Sequence, residues 1–280
     1  MSQIINPHSH PPASLKALFS SLIKNRQLVY QMTKREVIGR YKGSVMGLTW
    51  SFFNPILMLV IYTFVFSVVF KSRWGSAGSN SKAEFALILF VGMIVFGLFS
   101  EAINRAPGLM LVNSNYVKKV VFPLEILPVI NFGAALFHSL VGFGVLILGF
   151  LLINGFINWT IIFLPIVLFP LMLLIMGISW FIASIGVFVR DVGQTVNILT
   201  TLLMFLSPVF YPITAVPSEF QIWIMLNPLS FIIEQARAVL IFGEPPSWIG
   251  LGAYTLIAIS VMLLGFAWFQ KTRKGFADVI

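Results

Sequence analysis

The stretch RYKGSVMGLTWSFFNPILMLVIYTFVFSVVFK, Arg40 to Lys71, decides the fold. Arg40 and Lys42 stand at its start. The 28 residues between Lys42 and Lys71 carry no formal charge and are mostly Leu, Ile, Val, Phe and Met. At 1.5 Å rise per residue they make roughly 42 Å of helix, more than a ~30 Å hydrocarbon core requires. The chain therefore crosses a membrane here, with length left for a kink or an approach along the surface. Asn54-Pro55 lies near its first third, and a proline removes one backbone hydrogen bond and usually bends a helix.

The whole composition agrees. Of 280 residues, 58% are hydrophobic and 10% charged, against about 25% charged in soluble domains. The mean hydropathy is +0.95. This is an integral membrane protein. Cysteine is absent, which excludes disulfides, thiolate metal sites and a cysteine nucleophile. The net charge of +9 would suggest nucleic acid in a soluble protein; here the positive-inside rule accounts for it, so no nucleic-acid partner is expected. The N-terminus MSQIINPHSHPPAS is polar and proline-rich, with no signal-peptide core. Residues 1–13 read as a disordered cytosolic leader, and His8 and His10 within it as leader residues rather than metal ligands.

Upstream of the first span, Ser14 is placed to cap a helix. Leu15, Leu18, Phe19, Leu22 and Ile23 then recur on one face, with Lys16, Ser20, Ser21 and Lys24 on the other. A second piece, Gln27 to Tyr41, carries Lys34, Arg35 and Arg40. Residues 14–42 thus form an amphipathic interfacial region. The pattern leaves open whether it only anchors the chain on lipid or also docks a cytosolic partner.

Downstream, apolar runs and their breaks divide residues 43–280 into six transmembrane helices at about 47–70, 85–104, 126–153, 160–188, 194–211 and 249–269. The 64 residues between Glu125 and Arg190 lack formal charge and are too long for one span; Asn154-Gly155 to Asn158-Trp159 supplies the turn. Residues 214–246 are too polar to span simply and too apolar for a plain loop, and they break at Asn227-Pro228. They read as short helices dipping into the outer surface, where irregular backbone must be buried in protein or line a cavity. With both termini inside, 14 of the 18 basic residues fall on the cytosolic side, which assigns both termini to the cytosol. The fold class is an all-α, six-span membrane protein with an N-terminal interface helix and short re-entrant helices between spans 5 and 6.

Catalytic signatures are missing. No G-x-x-x-x-G-K-[ST], H-E-x-x-H or G-x-S-x-G occurs. The charged candidates Glu101, Arg105, Glu234 and Arg237 sit near span ends, and His138 is the one titratable residue deep in a span. A lone histidine there reads as a helix–helix hydrogen bond rather than a proton relay. The energy source is therefore expected on another chain.

Several motifs in order then resemble one family: RYKGSVMGLTWSFFNP, VKKVVFPLEILP, the RD turn followed by a span ending SPVFYP, NPLSFIIEQAR and the terminal FAD. They resemble the permease subunits of bacterial ABC-type polysaccharide exporters, the group of O-antigen (Wzm-like), capsule and teichoic-acid permeases. The resemblance runs from about Leu22 to the end. It implies a homodimer with two separate cytosolic ATPase subunits, which bind ATP and Mg, so that this chain needs no cofactor. It implies export of a lipid-linked glycan, most simply an O-antigen, across the bacterial inner membrane. It implies that 113–122 meets the ATPase, with Asn115, Tyr116, Lys118 and Lys119 as coupling candidates beside Lys34 and Arg35 of the interface helix. It implies that 218–237 closes the outer end of the channel, with Glu234 and Arg237 as the gate pair, and that spans 1 and 5 line that channel.

Sugar rings present apolar C–H faces, and aromatic side chains stack on these without demanding one sugar identity. Trp50, Phe52, Phe53, Tyr62, Phe66 and Phe70 on the first span, and Phe205, Phe210 and Tyr211 on the fifth, are the channel candidates; most membrane aromatics otherwise pack or face lipid. Glu234 and Arg237, three apart, share a helical face and read either as an exposed ion pair or as contacts that hold a closed gate. A capsule or teichoic-acid exporter, or a drug or small-lipid exporter of this architecture, is the alternative. A membrane glycosyltransferase or ligase ranks below these, because Glu84, Glu219, Glu234 and Glu244 form neither an acidic pair nor a metal-ligand spacing.

Overall fold

Charge-free apolar runs with few breakers become long helices, and proline, glycine and asparagine clusters divide them. The computed structural model describes residues 15–65, 82–118 and 122–280. The leader, Ser14, Phe66, Phe70, Lys71, Arg73 and Lys119 lie outside the described residues.

The chain opens with α1 (Leu15–Lys24) and α2 (Arg26–Arg40), and a 3-10 turn, Gly47–Thr49, leads into α3 (Trp50–Tyr62). Next come α4 (Lys82–Arg105), α5 (Leu109–Val112), α6 (Ser114–Lys118), α7 (Ile126–Asn154), α8 (Leu164–Phe188) and α9 (Val192–Leu206). Then follow α10 (Ser218–Leu226), α11 (Pro228–Arg237) with a π turn at Ala238–Phe242, α12 (Trp248–Thr272) and α13 (Phe276–Val279). No strand occurs among the described residues.

Five of these segments are long and apolar enough to cross a membrane: Gly47–Val65, Ala83–Val112, Ile126–Asn154, Trp159–Phe188 and Trp248–Val279. Ser218–Leu226 and Pro228–Phe242 are bent by 96° at Asn227 and add a sixth if the broken pair counts as one span. Where the sequence placed a span at 194–211, α9 has only 15 residues, about 22 Å. It stops because Ser207 is extended, with φ −94° and ψ 150°, as expected of a residue preceding a proline. Gly155 closes α7 at φ 76°, a left-handed conformation that only glycine adopts without steric cost.

Helix α4 is the centre. In the most apolar stretch of its span 78% of the residues are buried, against 6% in that of α3. Helices α3, α7, α8, α9 and α11 all pack on α4. Helices α8 and α12 form the closest pair: a Cβ on Gly265 would stand 2.0 Å from the Gly177 carbonyl oxygen, and one on Gly177 2.6 Å from the Met262 backbone. Small residues let helix backbones meet without intervening side chains, which is how membrane helices associate when lipid is as apolar as they are.

The interface helices divide their apolar face. Leu18 is buried with the core, while Phe19 and Ile23 are more than half exposed. Helix α2 packs on α7, where a Cβ on Gly133 would meet the Thr33 side chain at 2.9 Å.

Candidate functional site

Large apolar side chains are exposed on α3 and α9, as they also are on α7, α8, α10 and α12. Trp50, Phe52 and Phe53 are exposed on α3, and Ile198, Leu202 and Phe205 on α9. Trp50 and Phe53 meet edge to face at 6.0 Å. Twelve residues further, roughly 18 Å along the helix, Tyr62 reaches Phe210 at 6.3 Å, and Phe210 reaches Phe205 at 6.3 Å. The Tyr211 hydroxyl donates to the Phe205 carbonyl at 2.9 Å. The sequence candidates thus fall into two groups: a ring cluster where α3 meets the end of α9, and a separate pair at the start of α3. Phe66 and Phe70 are outside the described residues.

Beside the ring cluster stands the bent pair. Its corner is built by Asn227, whose side chain caps α11 by accepting from Leu229 N at 2.9 Å and donates to Ser207 Oγ at 2.9 Å. Pro228 occupies the first helical position, where a missing N–H costs nothing. Arg237 is fully buried. Its Nε donates to the Ile88 carbonyl on α4 at 3.1 Å, Nη2 to the Val209 carbonyl at 3.0 Å and Nη1 to Glu234 at 2.7 Å. A buried guanidinium is tolerated when its donors are engaged in this way. Glu234 is about one-third exposed, so the pair is uncovered from the carboxylate side only. The π turn that follows widens the helix, and its carbonyls find outside donors: Thr160 Oγ1 to Val239 at 2.6 Å and Asn158 Nδ2 to Ile241 at 3.0 Å.

The other end of α4 carries the coupling candidates. Lys34, Arg35, Asn115 and Lys118 are exposed. Arg35 Nη2 reaches the Tyr116 hydroxyl at 3.4 Å, and the Tyr116 ring stacks on Phe122 at 4.6 Å. Arg105 pairs with Glu36 at 2.6 Å. A groove of about 530 Å³ lies between α2 and this segment, lined by Leu28, Met32, Arg35, Tyr116, Phe122 and Pro123. The structure therefore joins α2 and α6, which the sequence names separately; Lys119 is outside the described residues.

A polar cluster between α2, α4 and α7 was not assembled by sequence reasoning. Arg40 pairs with Glu101. His138 Nδ1 lies 2.9 Å from Glu101 Oε1 and 2.8 Å from Arg40 Nη1, so it donates to the carboxylate or accepts from the guanidinium, but not both at once. Its Nε2 lies 3.1 Å from the Tyr41 hydroxyl. The signal was present: a basic residue before the first span, an acid near the end of the second and a histidine within the third. Their separations of 61 and 37 positions hid the grouping. Among the described residues no set of three His, Cys, Asp or Glu side chains could hold a metal ion.

Known proteins of similar sequence give this arrangement its context. The O-antigen export system permease protein RfbA of Myxococcus xanthus is 26% identical over 94% of this chain and 99% of its own length. The polysialic acid transport protein KpsM of Escherichia coli is 24% identical over 86% of this chain and 92% of its own length. The capsule polysaccharide export inner-membrane protein CtrC of Neisseria meningitidis serogroup A is 21% identical over 92% and 96%. The ABC-2 type transporter profile matches residues 27–241. That match takes in α2 through the bent pair, about three quarters of the chain, and the chain belongs to the ABC-2 type transporter family.

Proposed function

We propose that this chain is the transmembrane subunit of an exporter that moves a lipid-linked polysaccharide, an O-antigen in the first instance, across the bacterial inner membrane. The observation that carries this reading is the end-to-end similarity to an O-antigen export permease, over 94% of this chain and 99% of that one. Two subunits form the pathway, and two separate ATPase subunits power it from the cytosol, where both termini lie. The exposed aromatic residues Trp50, Phe52 and Phe53 of α3 and Phe205 of α9 support a wall completed by a second copy. They offer ring faces to sugar C–H surfaces without a fixed hydrogen-bond code, as a long and varied polymer requires. The sequence contains no phosphate-cradling loop, in keeping with hydrolysis on a partner, where ATP and Mg are bound.

The KpsM and CtrC similarities favour capsule export as the second reading. Deletion of the gene decides between them. Loss of surface O-antigen with accumulation of lipid-linked glycan inside, restored by the parent chain, is expected. Loss of capsule alone selects the second reading, and an unchanged surface with unchanged lipid-linked pools overturns both. Purified without its partner, the subunit is expected neither to bind nor to hydrolyse ATP.

A further inference from the structure

The last residues of the chain carry a motif without a role, Phe276-Ala277-Asp278, and they do not hang free. Chain ends usually fray unless tied down. Here Phe276 is fully buried, its ring 5.4 Å from Phe269 and 5.9 Å from Phe188. Helix α13 packs on α6 and α8. Just before it, Arg273 Nη1 donates to Glu125 Oε2 at 2.7 Å and Nη2 to the Phe122 carbonyl at 2.9 Å.

Glu125 gathers the other partners of this loop. Its second carboxylate oxygen accepts from Ser21 Oγ of α1 at 2.7 Å, and its carbonyl accepts from Trp180 Nε1 of α8 at 2.9 Å. Glu125 is 6% exposed, so these contacts are made with little competition from water. The segment Phe122–Glu125 is the exit of the coupling candidates on α6. Tyr116, whose ring stacks on Phe122, is reached by Arg35 of α2. Arg273 and Phe276 come from the tail and carry the contact into α12 and α8.

We propose that the C-terminal tail, Arg273–Ile280, is a second arm of the coupling apparatus. It holds the exit of the coupling segment through Arg273 and hands the displacement of that segment to α12. Arg273, Glu125 and Phe276 are positioning residues in this role, and the role rests on the reading of 113–122 as the segment that meets the ATPase. The fork geometry matters: a guanidinium spans a carboxylate and a carbonyl at once, whereas an ammonium is a compact point charge without that rigid fork. The arm differs from a passive plug in one respect. A plug affects how much complex assembles, while an arm affects what each assembled complex does.

The test uses the permease with its co-expressed ATP-binding-cassette partner in proteoliposomes. It compares Arg273→Gln, Glu125→Gln, their double variant, Arg273→Lys and Phe276→Ala. The measured quantity is the stimulation of ATP hydrolysis by the permease, per assembled complex, with no glycan present. Arg273→Gln and Glu125→Gln are each expected to lower stimulation by about fivefold or more, at unchanged KM for ATP. The double variant should fall no further than either single, because the two act as one unit, and Arg273→Lys should be intermediate. Stimulation within about twofold of parent in Arg273→Gln and Phe276→Ala overturns the proposal; so does a loss wholly explained by fewer assembled complexes. A parent complex that stimulates hydrolysis but exports no lipid-linked glycan defeats the substrate reading and leaves this one to be judged on its variants. A parent permease that leaves its partner's rate unchanged defeats the coupling reading, and the arm with it.

Discussion

Arg237 donates to the backbone carbonyl of Val209 at 3.0 Å, tying α11 to the turn that ends α9. The same guanidinium reaches Ile88 on α4. One side chain thus fixes the bent pair to the central helix and to the ring cluster. Removing it strands two carbonyls and a carboxylate, whereas changing Glu234 to an amide keeps an acceptor for Nη1.

Arg237→Met is therefore expected to destabilise the subunit strongly, by about 3 kcal/mol or more, the usual scale for breaking a buried pair. Glu234→Gln should cost well under half of that. Thermal unfolding in detergent ranks the two, and equal losses would refute the asymmetry. At matched expression, Glu234→Gln should also alter export or raise liposome leakage to small solutes; parent values of both would reduce the pair to a structural staple.

At the α8–α12 crossing, Gly177→Ala and Gly265→Ala each place a methyl within 2.6 Å of backbone. Backbone cannot step aside as a side chain does, so overpacking of at least 1–3 kcal/mol is expected. Gly252→Ala has nothing within 4 Å and serves as the neutral control. Folded yield by size-exclusion chromatography separates them; parent-like yield of Gly265→Ala would mean that the crossing is looser than described.

For the polar cluster between α2, α4 and α7, Arg40→Gln leaves Glu101, three-quarters covered, without its cation. A loss of about 1–3 kcal/mol is expected, between the exposed and buried limits for ion pairs. His138→Gln retains a donor and an acceptor and should cost less than His138→Leu, which retains neither. Unfolding temperatures in the order parent, Gln, Leu would support this; a Leu variant as stable as the parent would show that the imidazole contacts add nothing.

Charge reversal at Lys118 and Lys119 is expected to lower ATPase stimulation by about fivefold or more without loss of folded subunit. Tyr116→Ala should act in the same direction by removing the stack on Phe122, and Tyr116→Phe should have little effect, since the contact to Arg35 is long at 3.4 Å. Export together with copurification of the ATPase checks this, and wild-type values in the double reversal would place the contact elsewhere.

How far the sequence alone carried depends on the separation of the groups involved. The helices followed from uninterrupted apolar runs, because backbone hydrogen bonds in lipid must close within the segment. The pairing of Glu234 with Arg237 followed from helical spacing. Arg237's other acceptors did not: Ile88 and Val209 lie 149 and 28 positions away, and only packing brings them together. The same holds for Arg40 and His138, 98 positions apart, and for Glu125, which looked like a charge at a span end and is the meeting point of α1, α8 and the tail. Helix α9 ends at Leu206, short of the end of the 194–211 span, for a local reason: Pro208 keeps Ser207 extended.

The contact of Gly177 with Gly265 brings α8 and α12 together backbone to backbone. Together they behave as one connecting rod, about 37 Å long for the 25 residues of α12. At one end of the rod Arg273 grips the loop at Phe122 and Glu125. At the other, Ser247 N donates to Gln235 at 2.7 Å, and Tyr254 stacks on Phe231 at 5.9 Å, both partners lying on α11. Under the coupling role proposed for the tail, α12 is the element that would carry a displacement from the first end to the bent pair.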